Sequence, residues 1–125
     1  MASEAGLNSS LRGFFLQLHR AELAATGSDR RAAFRRTRAA IGAAIAVGIP
    51  AGALAECLGV TVASIRNRAA HTGGTITAEE VRQFTPLSLT AINKLTSPEL
   101  RKVNEDPEPH YRISDVVNAL MVLPD

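Results

Sequence analysis

The chain has very few aromatic residues: four Phe, one Tyr and no Trp in 125 positions, or 4%. A core of ordinary density must then be assembled from Ala, Leu, Ile and Val, an Ala-rich mixture that favours helices. The expected fold class is mainly α. Cysteine is nearly absent as well. Cys57, the one cysteine, has no partner for a disulfide or a thiolate metal set, so a reducing cytoplasm is the expected setting. Long apolar runs are missing. Residues 39–60 are almost uncharged, but they are mostly Ala and Gly, are broken by Pro50 and Glu56, and lack flanking aromatics. Their transfer energy is too small for a membrane span, and no Lys/Arg cluster precedes an apolar block as in a secretory signal. Catalytic spacings are lacking too. His19, His71 and His110 are scattered, with no HExxH, phosphate-cradling glycine loop or serine elbow. The expectation is a protein that is not an enzyme, takes no cofactor or metal, has no evident small-molecule ligand and has no membrane partner.

What is present is 46% hydrophobic residues, enough for one small domain or two very small ones, and a segregated charge. Residues 1–72 hold nine Arg against four acids, a net +5, whereas residues 73–125 hold five Lys or Arg against eight acids, a net −3. A positive half attracts phosphate backbones over a Debye length of ~10 Å. Double-stranded DNA is the expected partner.

The stretch AGALAECLGVTVASIRNRAAH, residues 51–71, lies in that positive half. Leu54, Ala55 and Leu58 put an apolar stripe on a short helix, and Gly59 supplies a positive-φ corner that Val60 plugs. Thr61 is placed to cap a second helix, and Ile65 points back at Leu54 and Leu58. The other side of that helix carries Thr61, Val62, Ala63, Ser64, Arg66 and Asn67, small residues followed by two bidentate hydrogen-bonding side chains. These residues resemble the helix-turn-helix of phage and bacterial repressors, with Ala55, Gly59, Val60 and Ile65 at the small, turn and core positions. Three residues after Ile65 the family usually has an apolar residue. This chain has Arg68, which leaves Ala69 to close the core. The resemblance implies that Thr61, Val62, Ala63, Ser64, Arg66, Asn67 and Arg68 contact DNA.

Ahead of this motif, Ser9 or Ser10 is a fair cap for a helix whose apolar residues are Leu7, Leu11, Phe14, Phe15 and Leu18. Its greasy face either packs within the chain or forms the seam of a homodimer. Met1 to Gly6 is expected to be loose. Ser28-Asp29 opens a second helix expected to reach Val47, with Phe34, Ile41 and Ile45 inward, Gly48 as a stop and Pro50 in the first turn of the next helix. Arg31, Arg35 and Arg38 form a basic stripe on it, suited to phosphate contact, with a solvated helix face as the plainer reading.

Thr72-Gly73-Gly74 reads as a flexible joint between an N-terminal domain, residues 1–72, and a C-terminal module, residues 76–125. In the latter, Thr77 and Glu80 have capping-box spacing, Val81 and Phe84 give an apolar face, and Pro86 ends the helix. Ser88 can cap a further helix with Leu89, Ile92 and Leu95 inward and Thr90, Asn93 and Lys94 outward. Short extended stretches at 101–104 and 110–113 flank a turn at 105–109, and a last helix starts at Ser114-Asp115 with Val116, Val117, Leu120 and Leu123 inward. This order resembles the winged helix-turn-helix of phage excisionases and MerR-type regulators. The resemblance implies a second DNA-reading unit with a β-hairpin wing and contacts from Thr90, Asn93, Lys94, Arg101 and Lys102. The wing tip, with Glu105, Asp106 and Glu108, repels phosphates. A small dimerisation domain is the alternative.

The function expected is a sequence-specific DNA-binding regulator, a repressor of the temperate-phage type. An excisionase-like architectural factor and a protein-interaction module without DNA binding are its rivals.

Overall fold

The computed structural model describes residues 7–69, 74–87, 90, 102–104 and 110–123. It is mainly α-helical. Helices α1 (Ser9–Ala24), α2 (Gly27–Ala46), α3 (Ala51–Leu58) and α4 (Val62–Ala69) are followed by strand β1 (Thr75–Thr77) and helix α5 (Ala78–Phe84). Strands β2 (Lys102–Asn104) and β3 (His110–Arg112) then lead into helix α6 (Ile113–Met121).

The cap of the first helix lies one residue before the expected position, at Asn8, and the helix begins at Ser9. Asn8 Oδ1 accepts from the Leu11 N–H at 2.8 Å, while Asn8 Nδ2 donates to the carbonyls of Leu120 and Leu123 at 2.9 and 3.0 Å. An amide can accept and donate together, so Asn8 both starts α1 and closes the end of α6, which a Ser hydroxyl is too short to do. Leu11, Phe14, Phe15 and Leu18 are all buried within the chain, with the two phenyl rings 5.7 Å apart. That face of α1 is used up by intrachain packing. Helix α2 starts at Gly27 and ends at Ala46, a residue or two from the expected bounds. Pro50 sits just outside α3 instead of in its first turn. Its backbone is extended, and its carbonyl accepts from the Ala53 and Leu54 N–H groups, so it occupies the cap position.

The capping box of α5 forms as expected. Thr77 Oγ1 accepts from the Glu80 N–H and Glu80 Oε1 from the Thr77 N–H, both at 3.0 Å, and Val81 and Phe84 are buried. The residues just before it add something unexpected. Thr75–Thr77 pair antiparallel with β3, Thr75 opposite Arg112 and Thr77 opposite His110, so the hairpin is the larger part of a three-stranded sheet ordered β1-β3-β2. The β2–β3 register shifts between Lys102 and Asn104. Ser88, Leu89, Asn93, Lys94, Arg101 and the turn at 105–109 lie outside the described residues, as do Met1 to Gly6, His71, Thr72 and Gly73.

One hydrophobic cluster runs through both halves of the chain, from Leu11, Phe15, Ile41, Leu54 and Ile65 to Ile76, Val81, Ile113, Val116 and Leu120. Gly74, expected in a flexible joint, is packed where these halves meet. Its carbonyl accepts from the Ile113 N–H at 3.1 Å, and a Cβ added to it would lie 2.5 Å from the Ala39 Cβ. No helix among the described residues is long and apolar enough to cross a membrane.

Two glycine substitutions should therefore move stability in opposite directions. Gly74→Ala forces Ala39 and its helix aside and should cost about 1–3 kcal/mol. Gly52→Ala, in α3 with open space around the new methyl, should stabilise by about 0.5–1 kcal/mol. Urea unfolding midpoints of the two variants check the pair.

Candidate nucleic-acid interface

Helices α3 and α4 form the expected turn. Leu54, Ala55 and Leu58 are buried, and Gly59 ends α3 at φ +70°, a left-handed conformation that residues with a Cβ rarely adopt. The Val60 N–H returns to the Ala55 carbonyl at 3.0 Å, closing the corner, and the half-buried Val60 side chain packs on the core. Thr61 Oγ1 then accepts from the Ser64 N–H at 3.1 Å and caps α4. Ile65 has no exposed surface, which fixes the inward side of α4. Ala69 is half-buried against the same cluster.

The outward side follows from that anchor. Thr61, Val62, Ala63, Arg66 and Asn67 are exposed, and Ser64 is half-buried. Among the described residues Arg66 and Asn67 make no side-chain hydrogen bond or ion pair, so their donors and acceptors face solvent. Thr61 Oγ1 accepts one hydrogen bond at the cap, which leaves its hydroxyl proton and one lone pair to offer.

Arg68 lies differently. Its two terminal nitrogens donate to the two oxygens of Glu22 at 3.2 and 3.3 Å, and its guanidinium stands 4.9 Å from the centre of the Phe34 ring. The Glu22 side chain is only 6% exposed. Arg68 is therefore held at an inward position of α4 by a buried counter-charge and an aromatic face. The C-terminal end of α4 is tied at this point to α1 through Glu22 and to α2 through Phe34. Glu22 stands four residues after Leu18 and seven after Phe15, on the inward stripe of α1, so its spacing alone marks an acid at a buried position that calls for a cation.

The basic stripe of α2 is divided by its surroundings. Arg31 and Arg35 are exposed, whereas Arg38 is half-buried and stands 5.3 Å from the Phe34 ring centre. Their neighbour Arg36 turns to the C-terminal half, where its guanidinium meets Glu80 at 2.7 Å and covers the Phe84 ring at 4.7 Å. Of the residues expected to contact DNA from that half, Thr90 is exposed and helical, and Lys102 lies in β2 opposite Tyr111. Asn93, Lys94 and Arg101 lie outside the described residues. Cys57, on α3, points its thiol toward the Arg12 carbonyl at 3.9 Å. Burial pushes this thiol up from its ordinary value against the smaller opposing pull of Arg12, so it stays protonated near neutrality and is a packing group. Among the described residues no three His, Cys, Asp or Glu side chains come together as metal ligands.

Removing Glu22 would leave Arg68 charged, mostly buried and without its partner. Glu22→Ala should lower stability by about 3–5 kcal/mol, the usual cost of breaking a buried pair from one side. The double variant Glu22→Leu/Arg68→Met should recover most of that loss, because two apolar groups need no counter-charge. Urea unfolding of the single and double variants measures both.

Comparison with family models, with curated proteins and with solved structures gives no match for this chain.

Proposed function

We propose that the chain is a sequence-specific DNA-binding regulator, active in the cytoplasm, that represses by occupying its site against polymerase. The observation that carries this reading is the division of α4 into two sides. Ile65 and Arg68 hold one side in the protein, and Thr61, Val62, Ala63, Arg66 and Asn67 are exposed on the other. Exposed Arg and Asn are also what a plain solvated helix face carries, and what favours the reading here is that they follow a first turn of small residues on the same side.

The dimensions suit a major groove. Eight residues at ~1.5 Å each make α4 about 12 Å long. That length spans three to four base pairs at ~3.4 Å per step, and the small side chains of its first turn allow close approach. Arg66 is matched to guanine O6 and N7 and Asn67 to adenine N6 and N7, the pairings in which each side chain makes two hydrogen bonds. Arg31 and Arg35, exposed on α2, would hold phosphates and set the register without reading sequence. Arg68 and Arg38 serve this reading indirectly, by holding α4 and Phe34 in place.

Selection from a random duplex library with the full chain should yield a defined site. Arg66→Ala and Asn67→Ala should each lose about 1–3 kcal/mol of discrimination at one position and keep the native unfolding midpoint. Gln at both Arg31 and Arg35 should leave the site unchanged but flatten the plot of log K against log salt by roughly 0.9 for each phosphate that is no longer neutralised. A library that returns no enriched sequence at low salt would contradict the reading.

A further inference from the structure

Val62 is one of five large apolar residues exposed among the described residues, and it is the one that lies on the outward face of α4. It is 36% exposed in the first turn of α4, takes no part in the hydrophobic cluster, and as a β-branched residue it favours a helix less than alanine would. Ala63 beside it is exposed too. One helical turn further on come Arg66 and Asn67, at four residues from Val62 and Ala63 respectively, so the pairs 62/66 and 63/67 form two adjacent rows on the same outward face.

We propose that Val62 is a specificity residue that packs against the C5-methyl group of a thymine. The element read by α4 then has a thymine about two base pairs from the guanine or adenine read by Arg66 and Asn67. The inference rests on the DNA-reading role of α4 and deepens it by naming the bases. The thymine methyl is the apolar group that the major-groove base edges offer. A valine pressed against it removes two apolar surfaces from water. Pressed against cytosine, the same valine would instead cover the N4 amino group and leave its donor without a partner. The spacing follows from helix geometry. Four residues rise ~6 Å along α4, a little under two base-pair steps of ~3.4 Å.

Deoxyuridine differs from thymidine by that methyl alone, so it isolates the contact. In the selected duplex, each thymine is replaced in turn by deoxyuridine, and Kd is measured with the native chain and with Val62→Ala. Circular dichroism melting of the variant verifies an unchanged fold. One position should stand out. There the native chain should lose about fourfold in affinity, the ~0.8 kcal/mol of a single buried methyl-sized group, and Val62→Ala should bind thymine and deoxyuridine equally. That position should lie about two base pairs from the one relaxed by Arg66→Ala. If no deoxyuridine changes the native Kd while Arg66→Ala still relaxes the site, the valine contact is wrong and DNA reading by α4 stands. If Val62→Ala keeps the full preference for thymine over deoxyuridine, the methyl is recognised by another residue and the proposal is likewise overturned. If no duplex sequence is selected at all, α4 is not a reading helix and the inference falls with it.

Discussion

The structure depends on the small-residue segment of α2, whose residues 39–44 are buried all round the helix. Ala33, Ala39, Ala40, Ala43 and Ala44 are buried together with Gly42, and Thr37 among them satisfies its hydroxyl within the helix by donating to the Ala33 carbonyl at 3.0 Å. Alanine brings little bulk of its own, so neighbouring helices can approach toward the short end of the usual 8–10 Å range. Helices α1, α4 and α6 and strand β1 all pack against α2. Apart from Ile41 of α2 itself, the large side chains named here come from these partners: Phe14, Phe15 and Leu18 from α1, Ile65 from α4, and Val116 and Leu120 from α6. This is how a chain with so few aromatics fills a core. It also makes close approach obligatory, because a methyl at Gly74 would collide with Ala39.

Such an axis restricts what α4 can do. A helix of eight residues is too short to be stable alone, and its orientation must come from its contacts. The Gly59 corner fixes its start, Ile65 its middle, and the Glu22–Arg68 pair with Phe34 its end. With three points held, the outward residues have a defined placement without having been ordered by a ligand. Rigid presentation lowers the ordering cost of binding and supports the proposed reading of base edges. The buried ion pair contributes position more than net stability, since two apolar residues would fill its place at little cost.

Legibility in the sequence followed sequence separation. The α3–α4 turn was readable because Gly59, Thr61 and Ile65 act within one short stretch. The capping box of α5 was readable for the same reason, with Thr77 and Glu80 three residues apart. The contacts that the sequence hid are long-range. Glu22 finds Arg68 across 46 residues, Arg36 finds Glu80 across 44, and Asn8 reaches Leu120 across 112. Glu22 and Arg68 each stand on the inward side of their own helix, but nothing local names the partner that each one meets. Strand β1 was hidden in another way. Three residues carry no periodicity, and their partner β3 comes much later in the chain. The candidate site divides along the same line: its outward residues were legible, whereas the inward role of Arg68 was signalled only by its departure from the usual apolar pattern.

The most direct measurement of the central claim, that the free side of α4 contacts DNA while its other side stays docked, is a titration of backbone amide resonances in the labelled full chain with its selected duplex. The account predicts saturable shifts at Thr61, Val62, Ala63, Arg66 and Asn67 and smaller ones at Arg31 and Arg35, with the core amides of Phe15, Ile41 and Val117 unmoved. Shifts concentrated in α5, α6 and the strands, with the amides of α4 unchanged at saturation, would contradict it.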